Sequence, residues 1–222
     1  MQIEAVAHIE TPFSTKFGIP RQSGLTNTPA RIIFEPSFRH PDAVRGLEAF
    51  SHLWLIWEFS EATYGAALTV RPPRLGGNTR VGVFASRSPF RPNRLGLSAV
   101  KLERVDYADP LAPVLVVSGA DLLNGTPIYD IKPYLPFADS IPHAVGGFAD
   151  RHLADGLQVE FLCETAFVPD AALAEITALL AQDPRPHYQS DPTRVYAFEY
   201  GGYRIRFRSD EGKALVEEIC KA

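Results

Sequence analysis

Short runs of alternating or continuous apolar residues, separated by turn residues, dominate the chain before residue 140. This pattern predicts about seven strands, at residues 3–10, 31–35, 52–59, 80–85, 98–106, 113–119 and 127–134. The run at 52–59, HLWLIWEF, gives the strongest signal, because continuous aromatic and β-branched residues are typical of a central strand. We expect its Trp54 and Trp57 to pack in the core rather than to stack on nucleic-acid bases. Several short strands without a long helix indicate a barrel or another closed sheet.

The pattern changes after residue 142. Residues 143–155 are polar, glycine-containing and weakly patterned, as is typical of a linker, so we expect two domains, at 1–142 and 156–222. The second part predicts a strand at 157–163, a helix at 170–182 and a hairpin that turns at Gly201-Gly202. One face of the hairpin carries Arg204, Arg206 and Arg208. A solvated face is the simplest explanation of them, although a second basic surface also favours a polyanionic partner.

Composition limits the class of protein. The formal net charge is −4, so the chain is not a generally basic nucleic-acid-binding protein, and any surface for RNA must be local. The 2 cysteines are far apart and the 6 histidines lack the spacing of a zinc site, so we expect neither a disulfide nor a metal. The N-terminus does not resemble a signal peptide, and no apolar run approaches the ~20 residues that span a bilayer. We therefore expect a cytoplasmic protein that has no membrane partner.

The stretch from Arg71 to Leu97 concentrates positive charge. It reads RPPRLGGNTRVGVFASRSPFRPNRLGL, contains 6 arginines, and lies between residues 62 and 102, where there is no aspartate or glutamate. Arginine favours planar, bidentate recognition of carboxylates and phosphates, and the prolines stiffen the loops that carry it. The stretch therefore predicts a site for an anionic ligand. A solvated basic face is the alternative.

Several familiar catalytic motifs are absent from the sequence. It has no glycine fingerprint of a dinucleotide site, no phosphate-binding loop, no zinc-ligand spacing and no nucleophile elbow. Many arginines without these motifs suggest group transfer by positioning, in which an activated donor is held against an anionic acceptor. In a second candidate segment, NGTPIYDIKPY, Asp130 and Lys132 share one face of a strand. A structural ion pair and a functional role explain that pair equally well.

Three long segments, in this order, carry a resemblance to a known family: DAVRGLEAFSHLWLIWEF, RPPRLGGNTRVGVFASRSPFRPNRLGLS and NGTPIYDIKPYLPFADS. They resemble the TrmO family (also called YaeB or VirR-like) of S-adenosylmethionine-dependent tRNA methyltransferases. QDPRPHY, at residues 182–188, resembles a motif of the C-terminal domain of the bacterial members, so the resemblance covers essentially the whole chain.

The resemblance implies a mainly β fold: an N-terminal single-sheeted β-barrel that binds S-adenosylmethionine, and a small α+β C-terminal domain that contacts tRNA. It also implies a homodimer. The implied reaction is methylation of N6 of N6-threonylcarbamoyladenosine, the modified base at tRNA position 37.

The resemblance also assigns a donor site, residue by residue. The family's PRQPGL loop matches residues 20–25, its SRSPFRPN loop matches 86–93, and its DGTP turn matches 124–127. Ser23 stands where relatives have proline, Asn124 where they have aspartate, and Ser60-Glu61 where they often have histidine and glutamine. The donor-binding residues implied in this way are Arg21, Gln22, Ser23, Gly24, Ser60, Glu61, Arg87, Leu97, Asn124, Gly125, Thr126, Pro127 and Ile128.

Methylation of N6 requires alignment of nitrogen, methyl and sulfur, and removal of the N6 proton. We predict Asp130 as the base or orienting group. The residues expected to hold the threonyl carboxylate and the tRNA phosphates are Arg71, Arg74, Arg91 and Arg94, whereas Arg80 is expected to be structural. Two other functions stay open: a non-catalytic RNA- or nucleotide-binding barrel, and methylation of a different small acceptor.

Overall fold

The computed structural model describes residues 3–63, 65–75, 78–152, 156–185 and 191–222. Its strands and α-helices are β1 (Ala7–Glu10), β2 (Pro29–Phe34), β3 (His52–Glu58), β4 (Thr69–Val70), β5 (Val81–Gly82), β6 (Leu95–Asp106), β7 (Val114–Ser118), β8 (Pro127–Pro133), α1 (Pro136–Asp139), β9 (Gln158–Phe161), α2 (Asp170–Ala181), β10 (Tyr196–Tyr200), β11 (Tyr203–Asp210) and β12 (Lys213–Lys221). Short 3₁₀-helices lie at Pro41–Val44, Leu47–Ala49, Pro73–Leu75, Val83–Ala85 and Gly147–His152.

Six strands close into a barrel in the order β1-β2-β7-β6-β3-β8. All neighbouring pairs are antiparallel, and the pairing of β1 with β8 completes the ring. Closure leaves no unpaired edge, which explains how such short strands form a stable sheet. The predicted mainly β barrel is therefore confirmed, although β1 begins at Ala7 rather than at Ile3, which is half exposed.

Alternation along β3 builds the barrel core. Leu53, Leu55 and Trp57 are buried inside the barrel, whereas the residues between them are partly exposed on its outer face. Trp54 belongs to the outer set, and its indole Nε1 donates a hydrogen bond to the Asp139 carboxylate at 3.0 Å. The expectation of a core position is thus confirmed for Trp57 and wrong for Trp54, because residues an odd number of positions apart on a strand point to opposite faces.

A glycine on β6 makes room for Trp57. Gly96 lies directly opposite Trp57 in the β3–β6 ladder, and a Cβ at Gly96 would lie within 2.7 Å of three carbon atoms of the indole. The indole therefore packs on bare backbone. Its Nε1 donates a hydrogen bond to the Ser98 hydroxyl at 2.9 Å, which fixes the ring against β6.

The strand predicted at residues 80–85 is mostly wrong. Only Val81 and Gly82 are extended, as β5, and they pair with β4 outside the barrel. The chain then turns into a 3₁₀-helix, because the Ser86 amide and hydroxyl both donate to the Val83 carbonyl, at 3.2 and 2.9 Å. The arginine-rich stretch is accordingly a short ribbon followed by loops.

Residues 158–222 contain a second sheet, ordered β10-β11-β12-β9, with β9 parallel to β12. We call the part of the chain from 158 to 222 the C-terminal unit. The predicted hairpin is confirmed: Gly201 and Gly202 connect β10 to β11, and both have a positive φ, which suits a tight two-residue turn. None of the described helices, α2 included, is long and apolar enough to cross a membrane.

The structure contains a strand that the sequence does not predict, β12, since the last predicted strand ends at residue 208. It supplies acids to the basic face of β11: Glu218 pairs with Arg206 and Glu217 with Arg208, each at 2.8 Å. Those two arginines therefore belong to surface ion pairs, so the basic face of the hairpin is largely neutralised.

The barrel and the four-stranded sheet each have their own hydrophobic core. One core fills the barrel, and the other lies between α2 and the second sheet. The second core contains a residue from the barrel half of the sequence, Phe13, which is fully buried there. The loop between β1 and β2 therefore connects the two cores.

Replacement of Gly96 by alanine tests the contact with Trp57. We expect the free energy of unfolding to fall by about 1–3 kcal/mol, because the added methyl overpacks the indole. Urea denaturation followed by tryptophan fluorescence measures this change. Gly82→Ala is the control: nothing lies within 4 Å of a Cβ there and φ is −58°, so stability should be kept. Equal loss in both variants would contradict the account.

Candidate active site

A cleft of about 560 Å³ opens where β3 ends and where β6 and β8 begin. Its lining comes from five stretches of the chain, within residues 16–22, 57–63, 86–91, 95–97 and 121–126. This volume is in the usual range for a site that binds a drug-sized molecule. The barrel strands thus bring together loops that are far apart in sequence.

The floor of the cleft is apolar and aromatic. Trp57 and Phe59 both line it, with ring centroids 4.4 Å apart in an edge-to-face arrangement. Leu95 and Leu97, at the start of β6, are exposed and add aliphatic surface. An apolar floor that contains an aromatic ring is suited to a planar heterocycle such as a purine.

The carboxylate of Asp121 lies beside this floor and is held by a hydrogen bond from Ser98. The Trp57 indole donates to Ser98 Oγ at 2.9 Å, and Ser98 Oγ donates to Asp121 Oδ1 at 2.6 Å. Burial raises the pKa of Asp121, and the hydrogen bond from Ser98 opposes that shift. Asp121 is therefore a carboxyl group in the cleft that takes up a proton more readily than an exposed aspartate does.

Arginine and glutamine side chains form the opposite side. The Arg87 guanidinium donates to Gln22 Oε1, and the Gln22 amide donates to the Arg21 carbonyl. All three residues line the cleft. The Arg21 guanidinium itself donates to the carbonyls of Asp183 and Arg185 in the C-terminal unit. The predicted Arg87 and Gln22 are thus joined in one hydrogen-bonded network.

Charged residues also connect the rim. Lys16 Nζ donates to the Glu61 carbonyl at 2.5 Å, which links the β1–β2 loop to the segment after β3. Glu58 accepts a hydrogen bond from the Tyr129 hydroxyl, and this bond raises the pKa of Tyr129 to about 12. Cations and carboxylates therefore both face the cleft, as a zwitterionic ligand requires.

The structure brings seven of the residues assigned to the donor site into the cleft lining: Arg21, Gln22, Ser60, Glu61, Arg87, Leu97 and Thr126. Thr126 is buried, and its hydroxyl donates to the Leu123 carbonyl at 2.7 Å. Its position depends on the turn that precedes β8, because Gly125 there has a φ of +79°.

Six other assigned residues lie outside the lining: Ser23, Gly24, Asn124, Gly125, Pro127 and Ile128. Several of them hold the loops instead. Ser23 Oγ accepts from the Ala99 amide at 3.1 Å, and Asn124 Oδ1 accepts from the Thr11 amide at 3.1 Å. Ile128 is fully buried in the barrel core. These side chains support the site from behind rather than face its interior.

Asp130 does not join the cleft. It lies on β8 opposite Ile56, beside an irregularity in the β3–β8 ladder, and its side chain is 47% exposed. Lys132 pairs with it at 2.9 Å, so the structure contains the ion pair that the sequence left open. Within one chain, Asp130 therefore faces away from the space that a ligand would fill.

The four arginines assigned to the substrate differ in position. Arg91 lines the cleft and donates to the carbonyls of Ser86 and Ser88, whereas Arg94 donates to the Ala62 carbonyl at 2.9 Å. Both therefore hold cleft loops in shape. Arg71 is exposed, and the side chain of Arg74 lies outside the described part of the structure.

Sequence reasoning missed Asp121, Ser98 and Lys16 as residues of the site. An aspartate after a buried strand is common in loops, and a serine on an alternating strand has no distinctive spacing, so neither carried a signal. The described residues contain no group of three or more histidine, cysteine, aspartate or glutamate side chains that could hold a metal ion.

Two family models together match most of the chain. Residues 8–140 match the family model for the tRNA-methyltransferase O N-terminal domain, and residues 158–222 match that for the TrmO C-terminal domain. A tRNA (adenine(37)-N6)-methyltransferase of Escherichia coli is 42% identical over 220 residues, which cover 93% of this chain and 92% of the relative. A protein of the same name from Eikenella corrodens is 47% identical over 174 residues, which cover 77% of this chain and 97% of the relative.

A crystal structure of TrmO from P. aeruginosa superposes with a TM-score of 0.81 at 31% identity. The superposition covers 100% of this chain and 97% of that one. The barrel and the C-terminal unit therefore have counterparts in a solved structure.

Asp121→Asn tests the electrostatic environment of the cleft. Because burial raises the pKa of Asp121, its ionised form costs stability above the raised pKa, and this cost disappears as the pH falls through it. We expect the variant to unfold at a higher temperature than the wild type at pH 8, with the difference closing at pH 4. Differential scanning calorimetry across that range measures both. A variant that is less stable at pH 8 would contradict the burial argument.

Proposed function

The chain belongs to the tRNA-methyltransferase O family, and we propose that its cleft holds the methyl donor against N6 of N6-threonylcarbamoyladenosine at tRNA position 37. It is an S-adenosylmethionine-dependent methyltransferase that acts on tRNA at position 37. The observation that supports the placement of the donor is the meeting of Gln22, Arg87, Leu97 and Thr126 around one cleft. These residues come from loops that the family resemblance assigned separately.

The cleft suits the donor's chemistry. The aromatic floor at Trp57 and Phe59 offers a surface for an adenine ring, and Arg87 offers a guanidinium for a carboxylate. Glu58 offers negative charge for an ammonium or a sulfonium group. When bound, S-adenosylmethionine supplies an electrophilic methyl on a positively charged sulfur.

The chain's own residues must orient the acceptor and accept its proton. N6 is a weak nucleophile, because its lone pair is delocalised into the purine and the carbamoyl group. When the bond from N6 to the methyl carbon forms and the bond from that carbon to sulfur breaks, the N6 proton must leave. We propose that Asp121 accepts this proton, since it lies in the cleft and is held by Ser98, whereas Asp130 lies outside.

The tRNA needs positive charge near the mouth of the cleft. Arg71 and Arg87 are exposed, and Arg87 also lines the cleft. Arg91 and Arg94 are engaged with loop carbonyls, so their substitution would disturb the loops as well as any contact with RNA. We therefore assign phosphate contact first to Arg71.

Because the substrate of the protein is tRNA, we propose the cytoplasm as the place where the protein acts.

Methyl transfer with purified protein tests this function. The assay contains S-adenosylmethionine and tRNA that carries threonylcarbamoyladenosine, with mass spectrometry of the nucleosides as readout. We expect one added methyl on that nucleoside. Binding of tRNA without a methylated product would favour the non-catalytic barrel, and methylation of another acceptor would overturn the proposed substrate.

The same assay separates the two carboxylates. Asp121→Asn is expected to lower kcat by about 10²-fold or more, as loss of general base catalysis does, and to abolish the fall in rate at acidic pH. Asp130→Asn is the matched variant and is expected to keep the wild-type rate. The reverse pattern would return the role of proton acceptor to Asp130.

Arg71→Ala should raise the KM for tRNA and leave donor affinity unchanged.

We also propose that the protein is a homodimer. After β8, the chain exposes several large apolar side chains, of which Phe137 and Val145 are each 88% exposed and Ile141 is 70% exposed. Apolar groups this exposed favour a partner surface, and a second copy of the chain is the partner that the family resemblance implies.

Light scattering during gel filtration tests the assembly. We expect a mass twice that of the 24.5 kDa chain, and a shift toward the monomer for Phe137→Ser, because the substitution removes a large apolar contact. The exposed Leu68→Ser variant is a control for apolar side chains outside this segment. A wild type that elutes as a monomer at all concentrations would overturn the proposal.

A further inference from the structure

The loop between β1 and β2, residues 11–28, forms one side of the cleft although most of its apolar side chains pack in the C-terminal unit. Phe13 is fully buried in the second core, with its ring 5.7 Å from that of Tyr200. Phe17 stacks on Tyr196 at 6.2 Å. The same loop then supplies residues 19–22 to the cleft. The position of this side of the cleft is therefore set by the C-terminal unit as well as by the barrel.

Backbone contacts hold the loop against β10. Gly18 has a φ of +97°, and a Cβ there would lie 2.6 Å from the Phe198 ring, so the loop backbone packs directly on that side chain. The Gly201 amide donates to the Pro12 carbonyl at 3.1 Å, and the Ser14 hydroxyl donates to the Glu199 carboxylate at 2.6 Å. The loop is thus fixed on both its apolar and its polar side.

A second set of contacts holds Arg21. Asp183, which is 6% exposed, follows α2 with a φ of +49°. Its carboxylate accepts from Arg185 Nε at 2.7 Å and from Arg185 Nη2 at 2.8 Å. This ion pair closes a tight turn that points the carbonyls of residues 183 and 185 at the Arg21 guanidinium. Asp183 and Arg185, with their two carbonyls, are called the 183–185 clamp below.

The clamp is connected to the cleft through backbone and side-chain hydrogen bonds. Arg21 carries the carbonyl that accepts from the Gln22 amide, and Gln22 Oε1 accepts from Arg87. The Arg21 carbonyl belongs to the peptide bond that joins Arg21 to Gln22, so a shift of the Arg21 backbone would move the Gln22 side chain with it and displace the oxygen that accepts from Arg87. A side chain that must be ordered during binding lowers affinity, so a network ordered beforehand favours the bound state.

We infer that the 183–185 clamp is a positioning device for the donor side of the cleft, so that the C-terminal unit contributes to donor affinity and not only to contact with tRNA. This inference rests on the proposed placement of the donor in the cleft. Asp183 and Arg185 act through Arg21 and Gln22, and neither of them lines the cleft.

A purely structural clamp would have a different signature. It would lower the unfolding temperature and reduce the fraction of active protein, while the folded molecules would bind the donor with unchanged affinity. A positioning clamp raises the dissociation constant of the donor in molecules that remain folded. Donor affinity measured well below the unfolding temperature separates the two.

The experiment uses the full chain and isothermal titration with S-adenosylhomocysteine, alongside steady-state kinetics. Arg185→Ala removes the ion pair, and we expect the dissociation constant to rise about tenfold, comparable to the loss of one hydrogen bond to a charged group. Asp183→Asn keeps the size of the side chain and tolerates a positive φ, so it weakens the pair in a protein that still folds. It should raise the dissociation constant in the same direction.

Arg206→Ala is the matched control, because Arg206 is also an ion-paired arginine of the C-terminal unit, at 2.8 Å from Glu218, and it does not line the cleft. The dissociation constant of S-adenosylhomocysteine for the Arg206→Ala variant should stay within about twofold of the wild-type value, a change in binding free energy of ~0.4 kcal/mol at most. The KM for the donor should rise in both clamp variants, with kcat at saturating donor nearly unchanged.

Two failures can be told apart. If the wild type binds S-adenosylhomocysteine and both clamp variants bind it equally well, the positioning role is overturned and the proposed function stands. If the wild type itself binds no S-adenosylhomocysteine, the placement of the donor in the cleft is overturned, whatever the variants do.

Discussion

The burial of Phe13 in the core of the C-terminal unit is the constraint on which the site depends. The residue belongs to a loop whose two ends are strands of the barrel, β1 and β2, yet its side chain is fully enclosed by the other sheet. An aromatic side chain that leaves water completely contributes roughly 1.5–3 kcal/mol. Detaching the loop from the C-terminal unit would therefore cost this free energy, and residues 19–22 are held over the barrel mouth as a consequence.

The barrel contributes the opposite side of the site by a different physical route. Gly96 lets the Trp57 ring lie on the backbone of β6, and the indole then orients Ser98 toward Asp121. A buried carboxylate is tolerated here because a hydroxyl donor and the nearby Arg87 offset part of its desolvation. Apolar packing thus places a polar group with a raised pKa at the edge of the cleft.

The sequence predicts the strands whose two faces differ clearly, such as β3, and the hairpin at Gly201-Gly202. Its motifs also predict loops that line the cleft. It failed where hydrogen bonds rather than patterns decide, as in the 3₁₀-turn after β5, which depends on Ser86. The charge of Asp130 beside Lys132 favours a functional role, but strand alternation near an irregularity places Asp130 on the outer face. Asp121 carried no spacing signal, because its burial arises from contacts between distant strands.

The central claim is that the methyl donor binds between the β1–β2 loop, the loop before β6 and the loop before β8. Amide hydrogen exchange with and without S-adenosylhomocysteine tests it most directly, since protection reports on each segment separately. The account predicts slower exchange at residues 19–24, 86–91 and 121–126, with β11 and β12 unchanged. Protection confined to other segments, with these three unaffected at saturating ligand, would contradict it.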